Sequence, residues 1–271
     1  MKAAIVIPAR YGSTRFPGKP LAEIAGKTML RRVVEIGWQA AAARGDVILL
    51  VATDDQRIAA HCAEIGVDCV ITSEHCATGS DRVLEAMHRK GGHYDVVMSL
   101  QGDAPFTPLS AITGLLDAFE ENTNREVVTP VIRLRWDELE ALREAKKVTP
   151  FSGTTAIVAS DGKAIWFSKN IIPAFRAEAS LRVQSPAFSP VYQHLGLYAY
   201  RTDVLEKFVR LPQGYYETLE GLEQLRLLEN GFSIHTIRLD VPAGMAQAGV
   251  DAPEDIVRAE EFLEKFKDAA Q

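Results

Sequence analysis

Short apolar runs alternate with amphipathic stretches along this chain. Residues 3–7 form an apolar, partly β-branched run of strand length, closed by Pro8. Over 28–44 the positions Met29, Leu30, Val33, Val34, Ile36, Gly37 and Ala40 recur at helical spacing, with Thr28 as N-cap. Residues 46–52 read as a buried strand ending in Thr53-Asp54-Asp55, and Asp55 caps a helix over 56–65. A short strand over 68–71 follows, then a helix opened by Thr78-Gly79-Ser80-Asp81-Arg82 and running to about Lys90. A strand over 95–100, a helix over 109–121, a strand over 127–132 and a charged helix over 136–147 continue the series. This β-loop-α repetition predicts a Rossmann-like α/β fold, a mostly parallel sheet with helices on both faces.

The second half is richer in strands. Residues 154–167 read as a hairpin around Ser160-Asp161-Gly162, and residues 177–190, with their Ser and Pro, as a mobile loop. Residues 192–200 read as one strand in which His194, Gly196, Tyr198 and Tyr200 share a face. Residues 216–231 read as one amphipathic helix, with Leu219, Leu222, Leu225 and Leu228 on a stripe and Gly231 as its stop. A strand over 232–239 precedes a final helix opened by residues 249–255. No linker or repeat interrupts the chain, so residues 1–271 are expected to form one domain, with a strand-rich sub-lobe at about 151–200.

The chemistry concentrates in the loop after the first strand. Arg10, Arg15 and Lys19 lie there with Gly12, Ser13 and Gly18 between them. Small residues let backbone N–H groups approach a phosphate, and the cations neutralise it. Neither the Walker A pattern nor the dinucleotide Gly-x-Gly-x-x-Gly is present, which disfavours a nicotinamide-linked enzyme. A net charge of −6 leaves no general basic face for nucleic acid, so these cations suit a small anionic ligand. No apolar run is long enough to cross a bilayer, and residues 3–7 are too short for a signal-peptide core, so a cytoplasmic protein is expected. Cys62, Cys69 and Cys76 match no common zinc spacing, even with His61 and His75 beside them, and read as reduced thiols. Gln101-Gly102-Asp103 ends the strand over 95–100, where an open α/β sheet binds ligands, and a carboxylate beside a triphosphate is what Mg²⁺ requires.

The stretch IPARYGSTRFPGKPL resembles the N-terminal signature of the CMP-Kdo synthetases, the 3-deoxy-manno-octulosonate cytidylyltransferases. The resemblance continues in residues 99–103, 192–200, 222–226 and 249–255. It implies a nucleotidyltransferase fold with a strand-rich lobe for dimerisation and sugar binding, and a homodimer. It also implies phosphate contacts from Arg10, Ser13, Arg15 and Lys19, with Thr78, Gly79, Arg82 and Gln101 completing the CTP site. Asp103 and Asp251 are implied as Mg²⁺ ligands, and Lys19 joins them as catalytic. For an acidic 2-keto-3-deoxy sugar the implied contacts are Gln101, Lys169, Arg176, His194, Tyr198, Glu223 and Gln224.

The sugar side departs from the family at several places. Ala104 replaces a Glu, Ala156 a Lys, and Phe151-Ser152-Gly153 an Asn-Pro-Asn segment. Lys169 stands for an Arg, keeping the charge but losing its two-pronged geometry. The implied reaction is transfer of CMP from CTP to Kdo or a close analogue such as 8-amino-Kdo. Transfer to a different acid, and a nucleotide-binding regulator without activity, remain open beside it.

Overall fold

The computed structural model describes residues 1–12, 16–242, 250 and 252–265. Ser13, Arg15 and Asp251 lie outside the described residues. The elements are β1 (Ala3–Pro8), a 3₁₀ turn (Lys19–Leu21), β2 (Glu23–Ile24), β3 (Lys27–Thr28), α1 (Met29–Ala42), β4 (Val47–Thr53), α2 (Gln56–Ile65), β5 (Cys69–Ile71), α3 (Gly79–Lys90), β6 (Val96–Ser99) and α4 (Leu109–Glu121). There follow β7 (Val127–Arg135), α5 (Trp136–Val148), β8 (Thr155–Val158), β9 (Ala164–Ser168), α6 (Glu178–Gln184), β10 (Phe188–His194), β11 (Tyr198–Arg201), α7 (Thr202–Val209), α8 (Tyr215–Glu220), α9 (Leu225–Glu229), β12 (Ile234–Leu239) and α10 (Asp255–Lys265). They fall into two compact units, Met1–Thr113 with Ala248–Gln271, and Gly114–Gln247. The expected sub-lobe at 151–200 lies within the second.

In the first unit, β5, β4, β1 and β6 lie side by side and are all parallel. Ala3 through Ile7 of β1 are fully buried, so both faces of this central strand are covered, as its unbroken apolar run predicts. The expected caps form: the Thr28 hydroxyl accepts from Arg31 N, and the Asp55 carboxylate accepts from Arg57 N. A second core holds Ile24, Met29, Val250 and Ala259, with Phe16, Phe106, Ile256 and Leu263 packed on it. It docks α10 onto this unit, where the Phe106 and Phe262 rings stand 4.8 Å apart.

The second unit has a mixed sheet. β7 pairs antiparallel with β10 and β11 and parallel with β12, and β10 continues to the β8–β9 hairpin.

Three sequence expectations are corrected here. Residues 177–190 are ordered as α6 and the start of β10, because Leu181 packs with Phe175 and Ile171 against a core of Leu134, Trp136, Leu139, Leu142 and Val191. Residues 192–200 are not one strand: β10 and β11 share β7 as partner, but His194 faces Val131 while Ala199 faces Val128. The surplus chain is taken up in a tight turn, with Leu197 N donating to Leu195 O at 2.7 Å. Residues 216–231 form two short helices, because Gly221 at φ +62° ends α8 in the left-handed region.

Candidate active site

In the first unit a cleft of about 250 Å³ opens at the carboxyl ends of β1 and β6. Arg10 and Lys19 line it from the loop after β1, and Gln101 and Asp103 from the segment after β6. Thr78, Gly79 and Arg82 enter from the start of α3. Every described residue expected at the nucleotide or at Asp103 therefore lines one cleft. Lys19 is 7% exposed and donates from Nζ to Asp103 Oδ2 at 2.8 Å, whereas the Asp103 side chain is half-exposed. A cation and a carboxylate thus stand at one rim. Gly102 makes the close approach possible, since a Cβ there would sit 2.9 Å from the Pro8 carbonyl oxygen.

Thr78 and Arg82 are held by the protein as well. The Thr78 hydroxyl accepts from Asp81 N at 3.1 Å, and the Asp81 carboxylate accepts from Thr78 N at 2.8 Å, a reciprocal cap that leaves the start of α3 facing the cleft. Arg82 is 4% exposed, and its guanidinium donates to Thr72 Oγ1 and Asp54 Oδ2, both at 2.6 Å. Asp54, from the Thr-Asp-Asp end of β4, fixes the cation against the cleft wall.

The second unit carries a second polar cluster. The rings of His194 and Tyr198 are 5.3 Å apart, and Tyr198 and Tyr200 stack at 5.9 Å. The Thr129 hydroxyl donates to Leu197 O at 2.7 Å, so it accepts from His194 Nε2–H at 2.9 Å and leaves Nδ1 as an acceptor. The Tyr198 hydroxyl and Gln224 Nε2 are buried and have no hydrogen-bond partner among the described residues, and burial pushes the Tyr198 pKa well up. Buried polar atoms of this kind are what a polyhydroxylated ligand would satisfy. Glu223 and Gln224 sit in the turn between α8 and α9, presented there by the break at Gly221. A buried ion pair roots that turn: Arg226 donates to Glu217 at 2.8 and 2.5 Å.

A cytidylyltransferase family signature matches residues 4–237. A 3-deoxy-manno-octulosonate cytidylyltransferase of Maricaulis maris is 43% identical over 263 residues, covering 97% of each chain. The chain belongs to the 3-deoxy-manno-octulosonate cytidylyltransferase family. A relative of the same description from Bacteroides thetaiotaomicron is 40% identical over 97% of this chain and 98% of its own. The solved structure of a CMP:2-keto-3-deoxy-manno-octonic acid synthetase complexed with CTP matches with a TM-score of 0.81 at 32% identity, over 98% of this chain and 99% of that one. A Leptospira borgpetersenii cytidylyltransferase structure, 17% identical with a TM-score of 0.59, shares the fold over 100% of this chain and 97% of its own.

In this cytidylyltransferase the described residues expected on the sugar side are all in the second unit except Gln101, whose amide donates to Ser99 Oγ at 3.3 Å. Lys169 follows β9, half-buried, and Arg176 is exposed before α6. Reasoning from the sequence missed Asp54 and Thr72, which hold Arg82, and Thr129, which sets the His194 tautomer. Their only signal was polarity just past the ends of β4 and β5, for Asp54 and Thr72, and at a buried position within β7, for Thr129. Among the described residues no three His, Cys, Asp or Glu side chains cluster as a metal site, and all three cysteines are free thiols. The half-exposed Asp103 carboxylate at a phosphate-sized cleft does fit Mg²⁺, which takes one or two carboxylates with phosphate and water.

The His194 environment makes a pH prediction. Burial, then the nearby Lys169 charge, lower its pKa to about 3. A depressed imidazole pKa means the unfolded chain takes up the proton first, so stability is complete above about pH 6.5 and falls as pH drops toward 3. Urea unfolding should show about 2 kcal/mol less stability at pH 5 than at pH 7 from this group. His194→Gln should flatten that slope, and an unchanged slope in the variant would refute the assignment.

Proposed function

We propose that this chain transfers CMP from CTP to the anomeric hydroxyl of 3-deoxy-manno-octulosonate (Kdo) or a close analogue such as 8-amino-Kdo, releasing pyrophosphate. The observation that carries the reading is the gathering of Arg10, Lys19, Gly79, Arg82 and Asp103 on one cleft, in a chain whose full-length relatives bear that name. The attacking hydroxyl oxygen bonds to the α-phosphorus, the bond to the bridging oxygen breaks, and pyrophosphate leaves with that electron pair. The hydroxyl proton passes to solvent. Such a transfer needs positioning and charge neutralisation rather than a protein nucleophile.

Arg10, Arg15 and Lys19 would bind the departing phosphates, and the N–H groups at the start of α3 would add donors. Asp103 and Asp251 would hold Mg²⁺, which when bound supplies positive charge at the triphosphate. On the acid side, Lys169 and Arg176 offer charge to the carboxylate. Neutral His194 accepts a hydrogen bond at Nδ1, and Tyr198, Glu223 and Gln224 offer partners for hydroxyl groups.

We also take the enzyme to be a cytoplasmic homodimer. Ile165 on the edge strand β9, Tyr215, Tyr216 and Leu219 are all more than 45% exposed, and Tyr216 packs on Trp166 at 5.1 Å. Such a patch suits a second copy of the chain. Free thiols suit a reducing compartment, and among the described residues no helix is long and apolar enough to cross a membrane. Recovery of the chain in a membrane or periplasmic fraction would contradict this placement.

The deciding assay is pyrophosphate release with CTP and Mg²⁺ and, in parallel, Kdo, 8-amino-Kdo and N-acetylneuraminate. Release with Kdo or its amino analogue is the expected result. Binding of CTP with no release from any acid would leave a regulator or another acceptor, and no CTP binding would overturn the reading. Sedimentation equilibrium on the same preparation should return the mass of two chains; a single-chain mass would remove the dimer.

A further inference from the structure

The backbone around Lys169 is held by side chains from three separate elements. Glu220, ending α8, accepts from the Ser168 hydroxyl and from the Lys169 amide, both at 2.8 Å. Thr155 on β8 donates to the Asn170 carbonyl at 2.6 Å and accepts from the Ile172 amide at 3.1 Å. Lys146, in the last turn of α5, donates to the Lys169 carbonyl at 2.6 Å and to the Ser152 carbonyl at 2.5 Å. The carbonyls of Pro150 and Gly153 stand 3.3 and 3.4 Å from the same ammonium.

Lys146 therefore ties the turn over 150–153, in which residues 151–153 depart from the family pattern, to the segment that carries a candidate acceptor cation. Its ammonium has three hydrogens and gives them to neutral carbonyls, so the group orders backbone rather than neutralising an acid. Burial, and then the charge of Lys169, lower the Lys146 pKa. The Lys169 charge is felt at His194 as well, so it stands near both the clamp and the second polar cluster.

The structure assigns Lys146 as a positioning residue: with Glu220 it fixes the root of Lys169, and through Lys169 the carboxylate of the acidic acceptor. This rests on the acceptor reading proposed above. The reason for such a device lies in the residue type. A lysine presents a point charge on a flexible stem, whereas arginine presents a rigid fork. Pinning the backbone on both sides of residue 169 removes the freedom at the base of the stem, and positioning losses of an ångström are costly in transfer reactions.

The test compares wild type, Lys146→Met and Lys146→Arg in two measurements. Steady-state rates are taken against Kdo and against CTP separately, and hydrogen exchange is followed at the amides of residues 168–172. Lys146→Met should raise KM for Kdo about tenfold, leave KM for CTP within about twofold, and speed exchange at Lys169 and Ile172. Lys146→Arg should restore most of both, since a guanidinium can donate to the same carbonyls. Glu220→Gln weakens the clamp from the opposite side and replaces Lys146→Met if that variant does not fold. Unchanged exchange, an unchanged KM for Kdo, or a parallel rise in the KM for CTP would each overturn the assignment while leaving the reaction intact. A folded wild type that uses neither Kdo nor 8-amino-Kdo would instead sink the reaction and this role together.

Discussion

Asp103→Asn is expected to lower kcat by roughly 10³-fold while the chain still folds and still binds CTP. Asp103 sits at the rim of the cleft with its side chain half-exposed, so the substitution opens no cavity and buries no orphaned group. Its size is kept and only the anion is lost. Two consequences follow from that single change. The position implied as a Mg²⁺ ligand no longer carries a hard anionic oxygen, so the Mg²⁺ dependence of the remaining activity should weaken. Lys19 also loses its carboxylate partner at 2.8 Å, so the anion that competes with the phosphates for its ammonium is gone. CTP affinity measured by titration calorimetry in EDTA should therefore be retained or slightly tightened. Residual kcat within tenfold of wild type would show that Asp103 is not part of the chemistry, whatever its place in the cleft.

Arg226→Met should cost about 3–5 kcal/mol of stability in urea unfolding, the largest single loss we expect outside the hydrophobic core. Glu217 and Arg226 are 5% and 7% exposed and meet through two hydrogen bonds. Burial pushes the Glu217 pKa up, but the Arg226 hydrogen bonds outweigh it and hold the carboxylate below its usual range. Removing the arginine leaves a buried carboxylate with the Gly214 N–H at 2.8 Å as its main donor. The Phe208 ring, 5.0 Å from the guanidinium, loses its cation at the same time. A paired Glu217→Leu, Arg226→Met variant should recover much of the loss, because the penalty lies in the uncompensated charge rather than in the absent bridge. A single-variant loss below 1 kcal/mol would mean that solvent already reaches the pair. Since the pair roots the turn bearing Glu223 and Gln224, the KM for the acid should rise in Arg226→Met beyond any change in the KM for CTP.

The physical role of the departures from the family pattern is clearer with these contacts in view. Ala104 accepts a hydrogen bond from the Thr107 hydroxyl through its carbonyl at 3.0 Å, so the turn after Asp103 is closed by backbone and does not depend on a side chain at 104. Ser152 and Gly153 act through their carbonyls on Lys146, a contact that side-chain identity alone does not reveal.

Local sequence determined the first unit almost completely. The unbroken apolar run of β1 demanded burial on both faces, Thr28 and Asp55 announced their helix starts, and the cationic loop with Gln101-Gly102-Asp103 marked the sheet edge where the cleft lies. Each of these is a short-range signal: a period, a cap or a turn residue. The second unit was less legible because its decisive interactions join residues far apart in the chain. The region over 177–190 reads as loop by composition, yet α6 forms there because Leu181 finds a core built by α5 and β10. The surplus residues between His194 and Ala199 appear only when both flanking strands register on β7. The leucine stripe over 219–228 has helical spacing throughout, and the left-handed Gly221 divides it. The sequence by itself therefore determined which residue types stand ready for a nucleotide and an acid. Tertiary structure alone decided which are held in place, through Asp54 on Arg82, Thr129 on His194, and Lys146 and Glu220 on Lys169, because a hydrogen bond between distant residues depends on three-dimensional distance and leaves no period in the sequence.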